Sequence, residues 1–230
     1  AFDIAQRTFC RVSFDLIYAR QNQSLADWRT ELSEALSMAA DHLSLYQLTI
    51  EDGTAFGDRA ARGMLRGLPD DDAGADMFEV TQEQTMKAGL QAYEISNHAR
   101  PDAESRHNLI YWQSGQWAGI GPGAHGRLNL ETNRVATETH LAPTVWLQAV
   151  EKTGSGESLR QNLSPEDTQI EALMMGLRLT QGVSKAQFAL YNNKFNELCE
   201  DGLLNMDESN VWATPKGRPL LNAILRQILA

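Results

Sequence analysis

Arg11-Val-Ser-Phe-Asp-Leu-Ile-Tyr-Ala19 reads as a β-strand. Val12, Phe14, Leu16 and Tyr18 fall on one face at a spacing of two, and Arg11, Ser13, Asp15 and Ile17 on the other. A carboxylate within an apolar strand is costly to bury unless something pairs with it, which singles out Asp15. Ser24-Leu-Ala-Asp27 follows as a capping box. Leu25, Trp28, Leu32, Leu36 and Ala39 make the apolar stripe of the helix it opens. Asp41-His42 ends that helix, and Leu43-Ser-Leu-Tyr-Gln-Leu-Thr-Ile50 is a second strand. Strand, helix and strand form one βαβ unit, which implies parallel pairing. The fold class is therefore α/β.

Upstream, Ala1-Phe-Asp-Ile-Ala-Gln-Arg-Thr-Phe9 has no initiating Met and reads as a helix tail, so the chain is expected to begin inside a larger fold. Downstream, Glu51-Asp-Gly-Thr54 breaks the second strand. A loop rich in Gly and Arg then runs to Gly67-Leu-Pro69, with the length and composition of a mobile segment near a site. Asp70, Asp71 and Asp72 open a helix, where negative charge favours the helix dipole, and Gly89 closes it. Ala92 to Asn97 reads as a third strand, with Glu94 and Ser96 on one face and Tyr93 and Ile95 on the other. In parallel barrels, sites gather at the carboxyl ends of strands and polar residues line the lumen. Ser13 with Asp15, Gln47 with Thr49 and then Glu51, and Glu94 with Ser96 fit such a lining. A hydrogen-bonded polar core is the plainer account of any one of them.

Arg127-Leu-Asn-Leu-Glu-Thr-Asn-Arg-Val-Ala-Thr137 reads as a hairpin turning near Glu131 to Asn133. Pro143 to Val150 is a short helix, and Thr153-Gly-Ser-Gly-Glu157 has the composition of a linker. Two domains are expected, 1–152 and 160–230. In the second, Ser164-Pro-Glu-Asp167 is a helix start, with Ile170, Leu173, Met174 and Leu177 as its stripe. Ser184 is expected to open a short helix and Asn193 to Glu200 another. Leu203 to Asn205 and Val211 to Ala213 form a small hairpin, and Thr214-Pro215 caps a last helix carrying Leu220, Leu221, Ile224, Leu225 and Ile228. This order is winged-helix-like. Nucleic acid is nevertheless a poor partner: residues 161–230 hold six Lys and Arg against eight Asp and Glu, and the whole chain of 230 residues carries −10. The two cysteines, Cys10 and Cys199, form no Cys-x-x-Cys and suit a reducing compartment. No apolar run approaches the ~20 residues of a membrane span, and the expected location is the cytoplasm.

The chemistry gathers in Glu104-Ser-Arg-His-Asn-Leu-Ile-Tyr-Trp-Gln-Ser-Gly-Gln-Trp-Ala-Gly-Ile-Gly-Pro-Gly-Ala-His-Gly126, which holds two of the five Trp and two of the five His residues. His107 and Tyr111 are four apart, as are Asn108 and Trp112, so each pair shares a face in a helix or in a strand. An imidazole beside a phenol can ligate or support haem iron, and Trp112 can stack on a macrocycle. A buried His among core aromatics satisfies the same pattern. Gly119, Gly121 and Ala124 fit a relaxed dinucleotide pattern. Pro122 and Gly123, however, stand where a helix should open, and a hairpin follows. These glycines serve either ligand contact or chain geometry.

Phe14-Asp-Leu-Ile-Tyr18, His42-Leu-Ser-Leu-Tyr-Gln-Leu-Thr-Ile-Glu51, Gly53-Thr-Ala-Phe56, Leu68-Pro-Asp-Asp-Asp72, Tyr93-Glu-Ile-Ser96, His107-Asn-Leu-Ile-Tyr-Trp112 and Gly119-Ile-Gly-Pro-Gly-Ala-His-Gly126, in this order, resemble the HemW-type haem chaperones. These are radical S-adenosylmethionine proteins related to oxygen-independent coproporphyrinogen III oxidase. The resemblance covers essentially the whole chain. It implies the later units of a partial (β/α) radical-SAM barrel with a hairpin extension over 1–152, and a HemN-type C-terminal winged-helix-like domain over 160–230. The family's Cys-x3-Cys-x2-Cys loop, which holds a [4Fe–4S] cluster and S-adenosylmethionine, has no counterpart in these residues. By the resemblance, Asp15 holds the ribose hydroxyls of S-adenosylmethionine, and the strand end from Tyr46 through Gln47 to Glu51 lines the adenine side. His107, as the iron ligand, with Asn108, Tyr111 and Trp112, matches the haem-binding motif; Gly119 and Gly121 flank it. Ala19-Arg20-Gln21 departs from the Gly-Leu-Pro often found in relatives. The implied function is to bind haem and deliver it to haem-recipient proteins; the alternative is oxidative decarboxylation of coproporphyrinogen III.

Overall fold

A computed structural model describes residues 2–130 and 133–230. They form two compact units, Ala1–Ser105 and Arg106–Ala230.

The first unit opens with α1 (Phe2–Thr8) and then β1 (Asp15–Tyr18), α2 (Leu25–Met38) and β2 (His42–Gln47). β1 and β2 are parallel, as the βαβ reading requires, with Asp15 opposite Ser44 and Tyr18 opposite Gln47. The first strand is shorter than its alternation suggests: its ladder with β2 runs from Asp15 to Tyr18, preceded by a backbone bond from the Ser44 N–H to the Phe14 carbonyl. α2 starts on the expected box: the Asp27 N–H donates to Ser24 Oγ, and the Ser24 N–H donates to the Asp27 carboxylate. The Gly- and Arg-rich loop contains a short helix, α3 (Ala55–Ala61), capped by Thr54. α4 (Asp71–Lys87) begins at its Asp70 cap. One face of the sheet carries the core, where Tyr18, Leu43 and Leu45 meet Trp28 and Leu32 of α2 and Met77 and Val80 of α4. Tyr18 stacks on Trp28 at 4.9 Å between ring centroids.

The third strand expected over Ala92 to Asn97 is a tight hairpin instead. β3 (Gln91–Ala92) pairs antiparallel with β4 (Asn97–Ala99), and β4 pairs antiparallel with β2, so the sheet order is β1-β2-β4-β3. Glu94 is the cause. Its carboxylate accepts from the backbone N–H groups of Ile95, at 2.6 Å, and Ser96, at 3.1 Å, and from the Asn97 side chain. A carboxylate that satisfies the next two backbone donors curls the chain into a turn.

The second unit begins with α5 (Arg106–Trp112). β5 (His125–Leu130) and β6 (Asn133–Thr139) make the expected hairpin; residues 131 and 132 of its turn lie outside the described residues. After α6 (Pro143–Thr153) comes a strand the sequence did not announce, β7 (Glu157–Asn162), paired with β6. The Gly154 end of the expected linker caps α6, and its Glu157 end joins the sheet. The boundary between the two compact units falls at Ser105/Arg106, so this stretch lies inside the second unit. α7 (Pro165–Gly176) starts on the Ser164 and Asp167 box. Ser184 does not open a helix: β8 (Val183–Ser184) is followed by a 3-10 turn at Ala189–Tyr191 and by α8 (Asn192–Glu200). β9 (Leu204–Met206), β10 (Asn210–Ala213) and α9 (Leu221–Leu229) complete a small domain with strand order β8-β10-β9. Its interior holds Leu173, Leu177, Phe188, Phe195, Leu198, Leu204, Val211, Ile224 and Ile228.

Candidate functional site

The strongest arrangement of polar and aromatic groups lies in the second unit. Residues 106–112 are helical, which settles the secondary structure left open by the spacing, and His107 and Tyr111 share a face of α5. Their rings meet edge to face, 5.0 Å apart at 77°. Tyr111 in turn meets Trp117 at 4.7 Å and 61°. Such contacts place the positive edge of one ring against the negative face of the next. Trp117 is held by its backbone and its indole. It exchanges both N–H···O bonds with Arg127 at 2.9 Å, and its Nε1 donates to the carbonyl of His125 at 3.0 Å. The Arg127 guanidinium sits 6.0 Å from the Trp117 ring centroid and binds Glu171 of α7 through Nε and Nη2, the latter at 2.7 Å. Hydrogen bonding to that carboxylate raises the Arg127 pKa. His107, Tyr111, Trp117, Arg127 and Glu171 therefore form one continuous row, with an exposed imidazole at one end and an ion pair at the other.

Trp112 takes a different direction. One residue past Tyr111, it is turned by about 100° around the helix. It lies 5.9 Å from the Arg178 guanidinium carbon and lines a cleft of about 210 Å³ with Ala172, Gly176 and Phe188. The i, i+4 partner of Asn108 is thus on the α7 side. Trp117, Arg127 and Glu171 were missed from the sequence. Trp117 stood in the quoted stretch, but nothing local marked it, and the Arg127–Glu171 pair spans 44 residues.

The glycines have geometric reasons. A Cβ on Gly119 would stand 2.8 Å from the carbonyl of His125, and one on Gly126 would stand 2.4 Å from Thr137 Oγ1. These close approaches let the 119–126 segment fold against β5 and β6. β5 follows them directly, so no helix opens a nucleotide-binding turn.

In the first unit, Asp15 is exposed on the face opposite the core, together with Ile17 and Tyr46. Ser44, in register with Asp15, and Tyr46, two residues on, are its same-face neighbours on β2. Gln47 pairs with Tyr18 and lies on the helix-covered side: a Cβ on Gly74 of α4 would meet its Nε2 at 2.8 Å. The expectation that Asp15, Gln47 and Glu94 line one face is corrected on both counts, by register for Gln47 and by the turn for Glu94. Glu51 is exposed beyond β2, and its carbonyl accepts from Thr54 Oγ1. A second polar group sits beside Asp15. Ser13 Oγ lies 2.7 Å from His42 Nδ1, and His42 Nε2 lies 3.0 Å from Tyr93 Oη. Burial is the largest influence on His42 and lowers its pKa; Asp41 opposes it.

The donor sets fit the implied groups unequally. An exposed His107 at the end of an aromatic row suits haem iron, which takes a neutral imidazole. Asp15 suits a pair of hydroxyls. Cys10 and Cys199 are free and lie in different units, a donor set that does not fit a [4Fe–4S] cluster, which takes several thiolates at one place. No helix among the described residues is long and apolar enough to cross a membrane.

Comparison with known proteins agrees with this architecture. Residues 163–220 match the HemN C-terminal domain. The chain is 34% identical over 235 residues to radical S-adenosyl methionine domain-containing protein 1, mitochondrial, of Danio rerio, covering 95% of this chain and 53% of that protein. It is 34% identical over 222 residues to heme chaperone HemW of Mycobacterium tuberculosis, covering 96% of this chain and 56% of that one. Coproporphyrinogen III oxidase (HemN) from Escherichia coli, described as a radical SAM enzyme, superposes with a TM-score of 0.76 over 99% of this chain and 57% of its own. At 18% identity that likeness shows the fold alone, an α/β architecture shared with part of that chain. The chain spans little more than half the length of the curated relatives it matches.

Proposed function

We propose, for a chain that is a relative of the HemW haem chaperones and of radical SAM domain-containing protein 1, that it is the haem-holding part of a HemW-type chaperone that delivers haem to recipient proteins. The observation that carries this reading is the row from His107 through Tyr111 to Trp117. It offers an exposed ligand nitrogen beside flat aromatic surface, which is what a metalloporphyrin requires. His107 ligates the iron, Tyr111 orients its ring, and Asn108 and Trp112 complete the motif from the adjoining face of α5. Gly119 and Gly121 shape the turn beside it. Asp15 and the strand end at Gln47 and Glu51 serve S-adenosylmethionine in the whole protein, where the [4Fe–4S] cluster is supplied by residues other than these. The functional division falls within the second compact unit, at 1–152 and 160–230, the latter containing the 163–220 match, and the protein works in the cytoplasm.

Haem titration of the protein and of His107→Ala, followed by the Soret band, tests the assignment. The variant is expected to bind at least ~10-fold more weakly, the loss of one ligand bond being worth more than ~1.4 kcal/mol. Equal affinity removes His107 from the site. The alternative is porphyrinogen oxidation, favoured by the HemN C-terminal domain match. Turnover of coproporphyrinogen III by the whole protein, with its cluster reconstituted, would support that alternative instead.

A further inference from the structure

We infer that Arg127, with Arg134 beside it, is a carboxylate-recognising site for the acidic side chains of a planar ring ligand, and that Glu171 holds the place of the ligand's carboxylate. The inference rests on the haem reading above and adds a recognition element to it. Arg127 ends the row that begins at His107, and its guanidinium lies over the Trp117 ring. A ligand held at His107 that extends along this row meets the Arg127 guanidinium at its far end. The Arg127–Glu171 pair is partly open, with side chains 20% and 29% exposed. A bidentate guanidinium–carboxylate pair is the geometry by which a protein recognises any carboxylate, its own or a ligand's.

Arg134 supplies the second observation. β5 and β6 place Asn129 opposite Arg134, and Asn129 is two residues from Arg127, so both arginines project from one face of the hairpin. Arg134 Nη2 donates to the carbonyl of Gly115 at 3.1 Å, and its Nη1 reaches Asn129 Oδ1 only at 3.4 Å. Its Nε is buried with no hydrogen-bond partner. Burial lowers the Arg134 pKa, Glu171 opposes that, and Arg127 adds to it. Both guanidiniums therefore lean on Glu171, and Glu138 adds a weaker, non-hydrogen-bonded influence on Arg127 alone. A half-buried cation without a full counter-charge is unfavourable, and an arriving anion relieves it.

The test compares iron protoporphyrin IX with its dimethyl ester, which has the same ring and iron but no free carboxylates. The unaltered protein is expected to prefer the diacid by about tenfold, the worth of one charge-assisted pair. Arg127→Gln erases that preference, weakening binding of the diacid about tenfold more than binding of the ester. Glu171→Gln strengthens binding of the diacid and not of the ester, a gain that misfolding cannot produce. His107→Ala weakens both compounds alike. If both compounds bind through His107 and neither Arg127→Gln nor Glu171→Gln changes their ratio, the carboxylate site is wrong and the haem reading stands. If neither compound binds the unaltered protein, the haem reading fails and this inference with it.

Discussion

Truncating Trp117 should uncouple the row that supports His107, and the structure sets the size of the effect. Trp117 is half-buried, so its truncation costs less than the ~3–5 kcal/mol of a fully buried Trp. Its contacts separate cleanly. The Nε1 bond to the His125 carbonyl is worth about 1 kcal/mol. The edge contact with Tyr111 contributes about 0.5–1.5 kcal/mol, and the Arg127 cation about 0.5–1 kcal/mol. Trp117→Phe keeps a ring edge for Tyr111 and loses the N–H, and is expected to cost about 1 kcal/mol. Trp117→Ala loses all three, at roughly 2–4 kcal/mol. The informative quantity is the coupling in a double-mutant cycle of Trp117→Ala and Tyr111→Ala, expected near 1 kcal/mol. Urea unfolding followed by circular dichroism measures each corner of the cycle. A coupling within ~0.3 kcal/mol of zero, with Trp117→Phe as damaging as Trp117→Ala, would refute the row as a unit.

Two further outcomes follow from local geometry. Gly182 has φ +70°, and a Cβ there would stand 1.9 Å from the carbonyl oxygen of Val211 and 2.7 Å from Trp212 Cα, both backbone atoms. Gly182→Ala should cost roughly 3 kcal/mol or more, while Gly202→Ala, with φ +69° and nothing within 4 Å, should cost about 1 kcal/mol. Equal losses in thermal or urea unfolding would place β10 elsewhere. His42 is buried between Ser13 and Tyr93, and its pKa is lowered. The unfolded state therefore takes up the proton first as pH falls below about 6.5, and stability declines from there down to the native pKa. Urea midpoints over that window should flatten in His42→Gln; an unchanged slope would show that another group is responsible.

Much of the fold was legible because its signals are local. Ser24 with Asp27 and Ser164 with Asp167 close real capping boxes, and Asp70 caps α4. Trp28 and Leu32 are fully buried, as their stripe required. The misses share a cause. Glu94 looked like a strand residue because alternation does not show that a carboxylate will bind its own next two N–H groups. Glu157 to Asn162 carries no apolar alternation and is a strand only because β6 offers it a ladder. Gln47 and Asp15 looked like companions until the parallel register put Ser44 beside Asp15.

The sequence by itself determined the βαβ start, the starts of α2, α4 and α7, and the His107–Tyr111 pairing, because each depends on residues close to one another along the chain. Tertiary structure alone decided that Tyr111 rests on Trp117, that Trp117 lies under Arg127, and that Arg127 is gripped by Glu171 from α7. The last of these joins residues 44 apart through side chains whose types are ordinary on any surface. Side-chain periodicity encodes which face a residue occupies, but it carries no record of which distant face will meet it.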